Sequence, residues 1–116
     1  MSDWWQWSPI KANQKLGFAV VGIGRFGSAV CRELLRNGAD VLAVDFSEKA
    51  IEELRQLEPT IEARVVDSTD EESMKEAGVL EMGTVVVGIS EPIEASITTT
   101  LIAKDTEGSL VKQVIA

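Results

Sequence analysis

A doubly wound parallel α/β sheet of about five strands is the fold class this sequence predicts, and three observations predict it. Five short apolar runs, rich in Val and Ile, start 24, 21, 22 and 26 residues apart. Segments of helical period fill the gaps between them. A glycine loop of spacing G-x-G-x-x-G (Gly22, Gly24, Gly27) stands where the first run gives way to the first helical segment. Strands alternating with helices at this interval mean successive right-handed βαβ units. Nearly continuous apolar strands suit a sheet covered on both faces.

The runs are "LGFAVVG" at 16–22, "DVLAVD" at 40–45, "IEARVVD" at 61–67, "GTVVVGI" at 83–89 and "SLVKQVIA" at 109–116. Each lies beside Gly or Asp, as strand ends do. In the first helix Phe26, Val30 and Leu34 form a stripe, with Cys31 and Leu35 beside it and Gly38 as the stop. Ser47 caps the second helix, whose buried edge is expected to hold Ile51, Leu54 and Leu57, with Pro59 just beyond. Asp70 can cap a short third helix carrying Met74 and Ala77. The fourth starts near Pro92 and repeats Ile93, Ile97 and Leu101 at i, i+4, i+8. Residues 1–15 break this rhythm and read as an N-terminal tail, in which Trp4, Trp5 and Trp7 next to Pro9 could serve as a docking arm. Residues 16–116 then form one Rossmann-like domain.

The 116 residues suffice for one domain and its core. No apolar run approaches the roughly 20 residues that span a bilayer, and the N-terminus has no signal-peptide pattern, so the chain reads as cytoplasmic. Cys31 is the only cysteine, which rules out an internal disulfide or a thiolate cluster; a buried structural thiol is expected. Histidine is absent, and with it the commonest general base and metal ligand. The net charge is −8, and the stretch from Asp45 to Glu81, with twelve acidic and four basic residues, accounts for it. Such a field repels a nucleic acid or a bare anionic membrane.

The glycine loop follows a strand and opens a helix, the setting in which it binds phosphate. The first glycine permits the turn, the second lets a pyrophosphate approach the backbone, and the third lets the helix pack on the strand. Asp45 ends the second strand, 18 residues after Gly27. A carboxylate there suits the hydroxyls of an adenosine ribose and disfavours a 2′-phosphate, so NAD or ATP fits and NADP does not. Arg25, inside the loop, can reach a terminal phosphate. Asp67, Ser68 and Thr69 end the third strand where an adenine edge would lie, or else cap the third helix through Thr69 or Asp70. Gly88 and Ser90 end the fourth strand on the same crevice. Phe26 in the loop and Phe46 beside Asp45 complete the candidate set.

The stretches "GFAVVGIGRFGSAVCRELLRNGADVLAVD", "DSTDEESMKEAGV" and "TVVVGISEPIEASITTTLIAK" resemble the N-terminal domains that regulate potassium conductance (RCK_N, also KTN or TrkA-N). Within that family the chain is most similar to the cytosolic regulatory subunits of Ktr-type potassium uptake systems. The resemblance runs from about residue 17 to the end and includes the G-R-F-G form of the loop. It implies a domain that binds NAD(H) or ATP/ADP, pairs with itself into a dimer or ring, and sits under a potassium-translocating membrane subunit, peripheral to the inner membrane. It assigns Gly22, Gly24 and Gly27 to the phosphate loop, Asp45 to the ribose, Arg25 to a γ-phosphate, and Asp67 and Ser68 to the neighbourhood of adenine. Val66 stands where relatives often have Gly. Members continue into a sixth strand and a separate C-terminal domain, so the resemblance implies a chain cut short before that strand.

The expected function is therefore a nucleotide-binding regulator of potassium transport that performs no chemistry. An alternative is the cofactor domain of an NAD-dependent oxidoreductase, which the lack of a second domain, His and Tyr disfavours. A third is an interaction domain with an empty cleft.

Overall fold

The computed structural model describes residues 17–89 and 93–116. The Trp-rich tail, Ser90 and Pro92 lie outside the described residues. In chain order the elements are β1 (Phe18–Val21), α1 (Arg25–Arg36), β2 (Val41–Asp45), α2 (Glu48–Leu57), β3 (Glu62–Val65), α3 (Glu71–Ala77), a 3-10 turn (Val79–Glu81), β4 (Thr84–Val87), α4 (Ile93–Asp105) and β5 (Gln113–Ile115). All the strand pairings are parallel, in the order β3-β2-β1-β4-β5. This is the predicted Rossmann-like sheet, with strands shorter than the apolar runs that announce them.

The pleat divides the core in two. Phe18 and Val20 of β1 face α1 and α2, meeting Cys31, Leu34, Ile51 and Leu54. Ala19 and Val21 face the other way, toward Met74, Val79, Leu80 and Ala103. β1 and β4 are buried along their whole length, as central parallel strands must be. At the β3 edge Glu62 and Arg64 are exposed, and charges there protect an open strand from unwanted pairing. The Arg55 guanidinium of α2 donates to the Ala63 carbonyl at 2.6 Å and ties that edge to its helix.

Helix starts follow the sequence. The Ser47 hydroxyl accepts from the Ala50 N–H at 3.1 Å, and the Asp70 carboxylate accepts from the Ser73 N–H at 3.1 Å. Two helix faces, those of α1 and α4, do not, and that of α2 does in part. Phe26 is 59% exposed, and the buried residues of α1 are Gly27, Cys31 and Leu34. The helix has rotated to bring Gly27, which has no side chain to register in a hydrophobic pattern, against β1. On α2 Ile51 and Leu54 are buried as expected, whereas Leu57, its last residue, is exposed. On α4 the core side is Thr99 and Ala103, whereas Ile97 and Leu101 are 55% and 53% exposed. The apolar i, i+4 repeat of that helix therefore marks its outer face.

Candidate nucleotide cleft

From β1 the chain steps to β2 and β3 on one side, then returns to β4 on the other side of β1. The connections leaving β1 and β4 diverge at that switch point, and a crevice opens at the carboxyl ends of the strands. A cavity of about 530 Å³ occupies it. Gly22, Ile23 and Gly24 line it after β1, Asp45 and Phe46 after β2, Asp67, Ser68 and Thr69 after β3, and Gly88 and Ile89 after β4, with Ala95 of α4.

The glycines do different things here. Gly22 turns the chain at φ +95°, a conformation that side-chain-bearing residues avoid, while its N–H donates to the Val44 carbonyl at 2.9 Å. Gly27 is there for contact: a Cβ on it would fall 1.9 Å from the Gly22 carbonyl oxygen. Gly24 meets nothing, since a Cβ there would have no atom within 4 Å. It caps α1 without a side-chain hydrogen bond, and the first turn of α1 carries no acidic residue. The unpaired N–H groups of that turn and the positive end of the helix dipole are thus left for an anion.

Asp45 is held on both oxygens. Oδ2 accepts from the Ile23 N–H at 2.6 Å, across to the glycine loop, and Oδ1 accepts from the Ser47 N–H at 2.7 Å. An ionised carboxylate offers about four lone-pair sites, so acceptor capacity remains for two hydroxyls in a fixed orientation. Phe46, 77% exposed, stands at the lip beside it.

Asp67 folds onto its own loop. Its Oδ1 accepts from the Thr69 hydroxyl at 2.6 Å and from the Thr69 N–H at 3.0 Å, and these bonds hold the carboxyl below its ordinary pKa. The cap of α3 is Asp70, so Thr69 supports Asp67 instead. Ser68 points inward. It is buried, and its hydroxyl lies 2.7 Å from that of Thr99 on α4, which is also 3.1 Å from the Ser68 carbonyl. Ser68 thus lends the cleft wall its backbone while its side chain fastens the loop to α4.

Arg25, Phe26 and Gly27 do not line the cavity, though they form the first turn of α1 just beyond it. Arg25 is exposed and has no ion-pair partner among the described residues. Ile23, Ile89, Ala95 and Thr99 were not candidates on sequence grounds. The first acts through a backbone N–H, the next two are ordinary apolar residues, and Thr99 works one layer behind the wall.

The family model for the TrkA-N domain matches residues 18–116. Over 91 residues the chain is 42% identical to the Ktr system potassium uptake protein C of Bacillus subtilis (strain 168), covering 78% of this chain and 40% of that protein. The chain thus spans well under half the length of that relative. Among solved structures it is similar to the TrkA-N domain of the inner membrane protein ybaL from Escherichia coli, with a TM-score of 0.69 at 21% identity and 86% of each chain covered. It is also similar to the NAD(P)-binding domain of an exopolyphosphatase-related protein from Archaeoglobus fulgidus. There the TM-score is 0.66 at 27% identity, covering 76% of this chain and 64% of the other.

Proposed function

The chain belongs to the TrkA-N domain family, and from that premise we propose that it is a nucleotide-binding regulatory domain of a potassium transport system. The observation that carries the reading is Asp45. Its carboxylate is fixed by the Ile23 and Ser47 amides at the mouth of the cleft, next to the open space over Gly24. Those residues fit the adenosine diphosphate portion that NAD(H) and ATP/ADP share. Asp45 takes the ribose hydroxyls, the N–H groups at the start of α1 take the phosphates, Arg25 reaches a terminal phosphate, and Phe46 offers an apolar face at the lip. A 2′-phosphate beside Asp45 would meet a like charge, which argues against NADP.

The ligand regulates, in this reading, by differential affinity. A nucleotide that prefers one geometry of a self-paired domain shifts the population toward it, and a potassium-translocating membrane subunit reads the change. The similarity to the Ktr system potassium uptake protein C of Bacillus subtilis supports the transport assignment. No helix among the described residues is long and apolar enough to cross a membrane.

Titration calorimetry with NADH, NAD, ATP and ADP tests the proposal. Binding of at least one without turnover is the expected result. Failure of all four to bind overturns it, and oxidation of NADH by a small substrate would restore the oxidoreductase alternative.

A further inference from the structure

The two faces of the sheet are unequally covered. The crossovers after β1 and β2 place α1 and α2 on one face, over β1, β2 and β3. The crossovers after β3 and β4 place α3 and α4 on the other. Among the described residues no helix therefore lies over β4 and β5 on the α1 side. An apolar groove of about 390 Å³ runs there between the flank of α1 and the sheet, bounded by Phe18, Phe26, Ala29, Val30, Val86 and Ile115. Its lip is open, since Phe26 and Ala29 are exposed.

We propose that this groove is the docking site for the chain's own N-terminal segment, residues 1–16, seated through Trp4, Trp5 and Trp7. The first ground is where that segment joins the fold: it leads into Gly17, the neighbour of Phe18 on the groove wall. The second is reach. The eleven residues from Trp7 to Phe18 extend to roughly 36 Å, whereas the groove flank from Phe26 to Leu34 is about 12 Å long at 1.5 Å per helical residue. The third is chemistry. Half of the chain's aromatic residues stand at these three positions, and broad apolar rings suit a slot walled by Phe and aliphatic side chains. Asp3 against Lys11 and Lys15 gives the segment a net positive charge, and the groove lining holds one carboxylate, Glu33.

The protein carries its own probe, because its only three tryptophans are in this segment and it has no tyrosine. Intrinsic fluorescence of the folded chain therefore reports the segment alone. The expected emission is shifted to the blue of free tryptophan, quenched several-fold less by acrylamide than in the urea-unfolded chain, and unchanged on dilution. Ala29→Glu, at an exposed helical position, should return it to the water-like value with an unaltered circular dichroism spectrum. Water-like emission in the unmodified folded chain overturns the proposal. So does blue emission that Ala29→Glu leaves in place, because the tryptophans would then be buried elsewhere. Blue emission lost on dilution would mean that the groove is filled by a second copy, which overturns the intramolecular assignment. If Ala29→Glu disturbs the fold, Phe26→Ser at the same exposed lip takes its place as the test of location, with the same two outcomes.

Discussion

A Cβ on Gly27 would lie 1.9 Å from the carbonyl oxygen of Gly22, so the first turn of α1 rests directly on the backbone that leaves β1. Neither atom can swing aside as a long side chain would. Gly27→Ala must push the helix off the strand, and a cost of about 2–3 kcal/mol in urea unfolding is expected, near the upper end for overpacking. Gly24→Ala separates packing from binding. It meets no atom within 4 Å, so stability should move by no more than about 0.5 kcal/mol. Its methyl group would instead occupy the space proposed for phosphate and weaken nucleotide binding.

For Asp45 the expected loss lies in affinity. Asp45→Ala removes the charged acceptor proposed for two ribose hydroxyls and frees the Ile23 amide that the carboxylate holds at 2.6 Å. Calorimetry should show about 1.5–3 kcal/mol less binding energy for whichever adenine nucleotide binds. An unchanged dissociation constant would remove Asp45 from the site.

Arg25 offers a test of ligand choice. It is exposed at the start of α1, outside the cavity lining but on the helix turn that faces it. If it reads a γ-phosphate, Arg25→Ala weakens ATP much more than ADP. Equal weakening of both would reduce the arginine to general positive charge.

The sheet and the mouth of the cleft were legible in the sequence because they depend on apolar runs, on glycine spacing and on one carboxylate at a strand end. The orientation of α1 and α4 was not. Hydrophobic periodicity rewards large side chains, so it drew the stripe of α1 through Phe26, whereas close packing put Gly27 and Cys31 inward. It failed in the same way on α4, where the buried residues are Thr99 and Ala103. Thr99 goes inside because its hydroxyl finds Ser68 at 2.7 Å, a partner 31 residues away that no local pattern reveals. The grip on Asp45 was hidden too, since it comes from backbone amides that every sequence has.

The thiol of Cys31 should betray its burial. It sits in the core face of α1, and burial pushes its pKa up to about 12. A thiol reagent at pH 8 should leave the native protein unmodified and react at once in denaturant. The sign of the pH effect follows from the raised value. The unfolded chain releases this proton near 9.0, whereas the folded chain holds it to about 12. Stability is intact below pH 9 and falls through that window by up to about 1.4 kcal/mol per pH unit. Cys31→Ala should flatten this part of the profile, and an identical slope in the variant would trace the loss to other groups.

The proposed regulation requires that the domain assemble with a copy of itself. Ile97 and Leu101 stand one turn apart on the outer face of α4, each more than half exposed, while Thr99 and Ala103 of the same helix are fully buried. A helix that turns two large aliphatic side chains to water on the face opposite its core is stable but sticky, and burying that pair against another copy removes apolar surface from solvent. α4 also touches the cleft wall through Thr99 and Ser68, so a shift of the nucleotide-side loop has a direct mechanical route to this surface. β5 adds a second opportunity, because among the described residues it is the last strand of the sheet and its ladder partner is β4. A twofold dimer is the simplest closed arrangement. Light scattering at micromolar concentration should therefore give a homodimer or a higher even-numbered oligomer. Ile97→Glu with Leu101→Glu should return it to monomer without unfolding it, since neither residue contributes to the core. A double variant that still dimerises would move the interface to the β5 edge. A monomer in the unmodified chain, with and without nucleotide, would leave the proposed regulation with nothing to shift.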